Sequence, residues 1–238
     1  RVFGTDQSRD FPEVTAAIQA RIAAGSELFA VGHSMGGACL LRYVSDTGSV
    51  CPLKAVATIS SPLSLSAHTR RLESSLAWRA VNLMTTAMAR ANLYKLWLFD
   101  PPSRPHLARI DWKALRTATT LRGLEAATIC RINGYADPED YYSASEPNLE
   151  RIERPVLVIH ARNDPVIGAR ELPWVQLHRH PKIEAVLTEG GGHLGYYESD
   201  SAAREADELV GRFFEAHRSR ALPGRLRACD WPKPLSRL

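Results

Sequence analysis

The chain has 238 residues, 45% of them hydrophobic and 24% charged, with a formal charge of +4. This composition excludes collagen-like, low-complexity and disulfide-scaffold chains, and the length suits an α/β domain with room for an insertion. The positive charge collects in one stretch: His217 to Leu238 holds six Lys/Arg and one acid, while the rest is close to neutral, which argues against a nucleic-acid groove. No apolar run is long enough to span a bilayer, so no transmembrane segment is expected. The four cysteines (Cys39, Cys51, Cys130, Cys229) have no paired spacing and read as reduced thiols. With a start at Arg1 and no charged-then-apolar leader after it, the expectation is an intracellular, cytoplasmic protein, or an organellar one if a targeting segment is missing.

Asp10 and Glu13 form a capping-box-like start, with Pro12 in the first turn. Val14, Ile18 and Ile22 follow on one face, and Gly25 is expected to close a helix of about 14 residues. Leu28-Phe29-Ala30-Val31 is a short continuous apolar run, the texture of a strand buried on both faces of a parallel sheet. It leads into Gly32-His33-Ser34-Met35-Gly36-Gly37, after which Leu40, Leu41 and Val44 mark the apolar side of a second helix. Ala55–Ile59 reads as another buried strand, ended by Ser60-Ser61-Pro62.

From Leu63 to about Pro147 the texture becomes helical. Leu72, Leu76, Val81, Leu83, Met84 and Met88 recur at helical spacing, which predicts helices that bury these side chains in an ordinary core. Strand texture returns at Pro155–Ile159 and at Ile183–Leu187, and a helix from about Ser201 to Ala216 is expected to bury Leu209, Val210, Phe213 and Phe214. Alternating helices and buried strands imply a parallel sheet with right-handed crossovers. The expected organisation is an α/β core over residues 1–62 and 148–218, a helical insertion over 63–147, and a basic tail over 219–238. The tail reads as a solvated end whose one conceivable partner is weak contact with an anionic membrane surface.

Gly32-His33-Ser34-Met35-Gly36 matches G-x-S-x-G, a weak pattern taken alone. Here an apolar strand ends at Gly32 and a helix begins near Met35, so the turn forces Ser34 into a strained backbone conformation and lifts its hydroxyl clear of the sheet. Gly32 and Gly36, two positions either side, are expected to remove side chains that would collide. The Met35 N–H, at the helix N-terminus, would point where an oxyanion forms. A serine hydroxyl needs a base. Asp164, in Ala161-Arg162-Asn163-Asp164-Pro165, follows one later strand, and His193, after Gly190-Gly191-Gly192, follows the last. Either alone reads equally well as a turn residue; the order Ser34, Asp164, His193, each after its own strand, singles them out as a triad. His193 would take the serine proton and Asp164 would fix the imidazole tautomer. His160 lies inside a strand run, His178 and His180 precede the last strand, and Asp137 and Asp140 fall in the insertion, so these compete poorly. No cluster has metal-ligand spacing and no phosphate loop opens a helix, so neither metal nor cofactor is expected.

These motifs resemble the α/β-hydrolase superfamily. Within it the chain resembles the embryogenesis-associated-protein-like esterase/lipase branch, through the serine segment, Gly134-Tyr135-Ala136-Asp137 with Asp140-Tyr141-Tyr142, the Asn163-Asp164-Pro165 segment and Gly191-Gly192-His193-Leu194-Gly195-Tyr196. The likeness covers about residues 3 to 216. It implies a mostly parallel sheet with flanking helices and a helical cap whose Leu, Met and Trp side chains would shape an acyl pocket if they are not ordinary core, no cofactor, and a small-molecule or lipid ester as substrate, cleaved as by a carboxylesterase or an acylglycerol or phospholipid lipase. Family members carry a long segment ahead of the nucleophile. The resemblance therefore implies an N-terminally truncated chain, lacking the first strands and the turn that supplies the second oxyanion donor. The strand ending at Gly32 would then be an apolar edge. The expected chemistry is ester hydrolysis through an acyl-enzyme on Ser34; acyl transfer or amide cleavage by the same triad, and a catalytically impaired remnant, are the alternatives.

Overall fold

The computed structural model describes residues 10–196 and 205–219. In chain order the elements are α1 (Asp10–Gln19), β1 (Leu28–His33), α2 (Met35–Thr47), β2 (Leu53–Ile59), α3 (Leu65–Leu72), α4 (Leu76–Phe99), α5 (Arg104–Leu107), α6 (Trp112–Thr117), α7 (Leu121–Ala127), α8 (Ile129–Asn133), α9 (Pro138–Ser145), β3 (Val156–Ala161), α10 (Trp174–Arg179), β4 (Ile183–Thr188) and α11 (Glu205–Ala216). The chain separates into two units. One is Ser64–Glu146; the other takes in the described parts of Gln7–Leu63 and Pro147–Leu238.

The second unit is built on a four-stranded sheet in the order β1-β2-β3-β4, every pair parallel. β2 and β3 are the inner strands and are buried almost throughout, as their unbroken apolar runs require. On one face Leu40, Leu41 and Val44 of α2 pack with Val56, Val156 and Val158. On the other, Leu209, Val210 and Phe213 of α11 pack with Ala57, Leu157 and Ile159. Each fully buried side chain of this size contributes about 1.5–3 kcal/mol. Among the described residues β1 has a strand on one side only, and Val31 on it is 41% exposed.

The first turn of the chain departs from the expected pattern. α1 has 10 residues, and Val14 and Ile18, read as its core stripe, are exposed. The helix is anchored instead by Phe11, stacked on Tyr43 of α2 at 5.1 Å, and by Thr15, whose hydroxyl lies 3.3 Å from that of Tyr43. An aromatic contact and a polar one here replace the aliphatic stripe. Residues 201–204, at the expected start of the last helix, lie outside the described residues; so do Cys229 and the basic tail, Ser219 excepted.

The helical unit sets short helices around the 24-residue α4, and polar caps recur along it. Ser64, Ser75, Asp111, Thr120 and Asp137 each accept a backbone N–H of the helix they open. Its core gathers Leu107, Leu115 and Leu124 with Leu93, Leu96 and Trp97 of α4. A second cluster holds Leu65, Cys130, Tyr141 and Tyr142. Tyr142 donates to Glu125, which is 3% exposed and whose carboxyl burial pushes up to about 7. The stripe read as core on α4 is placed otherwise: Leu76, Leu83, Met84 and Met88 are exposed, while Asn82 and Thr86 are its buried positions. The Asn82 carboxamide accepts the Leu121 N–H at 2.7 Å, and this polar anchor turns the aliphatic arc outward.

Candidate active site

Ser34 stands between the end of β1 and the start of α2 with φ 50° and ψ −126°. A positive φ at a non-glycine residue costs on the order of 1–3 kcal/mol and persists only where neighbours impose it. Here the Ser34 N–H donates to the Ile59 carbonyl of β2 at 2.8 Å, and its own carbonyl accepts the Gly37 N–H at 3.0 Å. The turn is closed by backbone-to-backbone approach. A Cβ on Gly32 would stand 2.5 Å from Gly37 Cα, and one on Gly37 would stand 2.8 Å from the Gly32 carbonyl oxygen and 1.9 Å from Ser61 Oγ. A Cβ on Gly36 would meet nothing within 4 Å. The expectation that Gly32 and Gly36 form the steric pair is therefore corrected: the pair is Gly32 and Gly37. Met35 opens α2, so its N–H belongs to the first-turn donors that lack an intrahelical acceptor, at the positive end of the helix and next to Ser34.

Asp164 lies in the turn after β3, its carboxylate fully buried. Oδ1 accepts the N–H groups of Val166 at 2.8 Å and Ile167 at 2.9 Å, which orients the side chain from its own loop. Oδ2 faces the Nδ1 of His193 at 2.9 Å. The other ring nitrogen of His193, Nε2, lies 3.0 Å from Ser34 Oγ. With Nδ1 donating to the carboxylate, Nε2 carries the lone pair that accepts the serine O–H. The three residues named from the sequence thus meet in one hydrogen-bonded chain, and the imidazole keeps an edge open to solvent, with 21% of its side-chain surface exposed.

The loop carrying His193 is tied down on two sides. The Asn163 carboxamide oxygen accepts the Gly192 N–H at 2.9 Å, linking it to the loop of the acid. Tyr196 donates its N–H to the Gly191 carbonyl at 3.0 Å, and its hydroxyl pairs with Ser60 Oγ at 2.8 Å beyond the end of β2. Gly191 has φ 139°, and a Cβ there would stand 2.7 Å from the Tyr196 ring. The sequence pointed to none of these roles. The asparagine beside the acid and the tyrosine after the glycine run were signals available for them.

The competing residues are occupied elsewhere. His160 is fully buried, with its Nε2 3.0 Å from the Ile167 carbonyl and 3.8 Å from Asp164 Oδ2. Burial pushes its pKa down, so it packs as a neutral ring behind the acid. Asp137 caps α9 and Asp140 accepts the Ala136 N–H, so both serve local structure. His178 and His180 lie on and just after α10, ahead of β4.

A profile of the alpha/beta hydrolase family matches residues 3–208. The chain belongs to the alpha/beta hydrolase family. Among its relatives, the phospholipase ABHD3 of Mus musculus is 30% identical over 176 residues, covering 73% of this chain and 41% of the relative. The embryogenesis-associated protein EMB8 of Picea glauca is 27% identical over 218 residues, 87% of this chain and 46% of the relative. That match bears out the branch resemblance drawn from the motifs. The chain spans less than half the length of these curated relatives. The crystal structure of a mutant epoxide hydrolase from Bacillus megaterium shares its fold, with a TM-score of 0.50 at 13% identity over 90% of this chain and 78% of that one.

Proposed function

We propose that this chain cleaves carboxylic esters through an acyl-enzyme on Ser34. The observation that carries the reading is one imidazole bonded on both sides, to Ser34 Oγ at 3.0 Å and to the buried Asp164 carboxylate at 2.9 Å. Ser34 Oγ attacks the ester carbonyl while His193 Nε2 takes its proton. The negative charge that develops on the carbonyl oxygen is met by the Met35 N–H, and the imidazolium is stabilised by Asp164. Collapse expels the alkoxide, which receives the proton from His193. Water, deprotonated by the same nitrogen, then attacks the acyl carbon; the bond to Ser34 Oγ breaks, the acid leaves, and His193 Nε2 returns the proton to Ser34. The relatives' names, phospholipase among them, favour an ester of a small molecule or lipid as substrate.

Fluorophosphonate labelling and hydrolysis of p-nitrophenyl butyrate test the reading together. The wild-type chain is expected to label and turn over, Ser34→Ala to do neither, and His193→Ala to lose both while remaining folded by circular dichroism. Hydrolysis that survives Ser34→Ala would overturn it. Labelling without turnover would mark an activated serine in a chain that does not complete the cycle.

A further inference from the structure

Helix α4 is inside out for a helix on a water-exposed surface. Its fully buried positions are polar, Asn82 and Thr86, whereas Leu76, Leu83, Met84, Met88, Leu98 and Phe99 are 50–84% exposed. At about 3.6 residues per turn these six fall on one continuous arc. The opposite side is held to the helical unit by the Asn82 contact with Leu121 and by Leu93, Leu96 and Trp97 in the core, so packing fixes which side faces out. The helix has 24 residues, a length of roughly 36 Å. An exposed apolar strip of this extent marks a contact surface. No helix among the described residues is long and apolar enough to cross a membrane.

Charge selects the occupant. From Arg70 to Arg104 the chain holds six Lys/Arg and two acids, and α4 itself contains no acid. Arg79 and Lys95 on α4 are exposed, Lys95 within the apolar arc and Arg79 outside its edge, where its Nε donates to the Glu73 carbonyl at 3.2 Å. Apolar side chains flanked by an excess of cations, with the two acids, Glu73 and Asp100, lying beyond the ends of α4, are the pattern of a helix lying in the plane of a lipid interface, its apolar side at the acyl boundary and its cations among the headgroups. Two copies of this face brought together would oppose like charges. We propose that α4 docks the chain onto an anionic lipid surface. The inference stands on this helix and not on the ester chemistry of Ser34.

Sedimentation of the full chain with phosphatidylcholine vesicles, with and without phosphatidylglycerol, tests it. Expected are binding to the phosphatidylglycerol vesicles that weakens with salt, at least a tenfold loss for Met84→Glu/Met88→Glu, and about a fivefold or greater loss for Lys95→Glu. All variants should keep the wild-type rate on water-soluble p-nitrophenyl acetate and the wild-type circular dichroism; if the double variant fails to fold, Lys95→Glu decides. Wild-type chain left in the supernatant, variants that bind as tightly as wild type, or a lipid-free dimer that the same substitutions abolish would each overturn the docking. Vesicle binding by a chain that turns over no ester would support it and count against the ester reading alone.

Discussion

Replacing Asp164 with Asn exchanges one oxygen for an amide nitrogen at nearly constant volume, and the surrounding bonds dictate which oxygen is lost. Oδ1 accepts two backbone N–H groups, at 2.8 and 2.9 Å, and only an oxygen can stay there. The amide nitrogen must therefore take the place of Oδ2, 2.9 Å from His193 Nδ1. Two N–H groups cannot face each other at that distance, and the one oxygen left, Oδ1, lies 3.2 Å from Nδ1 and already accepts two backbone N–H groups, so the imidazole moves its proton to Nε2 and accepts at Nδ1. Nε2, 3.0 Å from Ser34 Oγ, then bears a hydrogen and cannot take the serine proton. A serine hydrolase trapped in that tautomer loses about 10⁴ in kcat, equivalent to about 5 kcal/mol of transition-state stabilisation. Stability is expected to change by about 1 kcal/mol, because every hydrogen bond of the loop keeps a partner. Steady-state hydrolysis of p-nitrophenyl butyrate, fluorophosphonate labelling and thermal melting read the three quantities separately. A folded Asp164→Asn chain with turnover within tenfold of wild type would show that this carboxylate does not set the tautomer.

Gly37→Ala should destabilise the chain by about 1–3 kcal/mol and depress labelling of Ser34, since its Cβ would press on the Gly32 carbonyl, whereas Gly36→Ala should leave both unchanged; thermal melts of the two variants side by side check this. Asn163→Ala frees the Gly192 N–H and loosens the loop of His193, with an expected ten- to a hundredfold loss, by order of magnitude, in kcat at nearly constant KM; Asn163→Asp, which keeps the acceptor, should recover most of it. Glu125 holds its proton in the folded state up to about pH 7, against an ordinary value of 4.5. The folded chain therefore binds more protons than the unfolded one, and this stabilisation, present in full below about pH 4.5, is lost as pH rises towards 7, by roughly 3 kcal/mol. The difference in melting temperature between wild type and Glu125→Gln, followed over that window, should trace the loss, and a flat difference would refute the assignment.

The strands were legible because an inner strand of a parallel sheet is apolar at every position, a signal that needs no knowledge of its neighbours. Ser34, Asp164 and His193 were legible for a related reason: each follows a strand, so the chain order places them at one end of the sheet. The steric partner of Gly32 was not, because symmetry about the serine suggested Gly36, while the close approach depends on how the first turn of α2 lies against β1 and Ser61. The outward face of α4 was hidden for another reason. Helical periodicity reports that apolar residues share a side; it does not report which side meets the core, and here a buried asparagine decides that. The clamp of Asn163 and Tyr196 joins residues 29 and 136 positions distant from their partners, a pairing that no local pattern encodes.

Ser34 hangs from a strand that, among the described residues, is hydrogen-bonded to a single neighbour, while Asp164 follows an inner strand held on both sides. Fewer bonds must break for β1 to fray than for β3, and β4, which leads to His193, is likewise bonded to a single strand among the described residues, so mild heat is expected to part Ser34 from the Asp164 end of the site before the sheet melts. Inactivation then runs ahead of melting and reverses on cooling, and the gap between the two midpoints measures how firmly β1 is gripped.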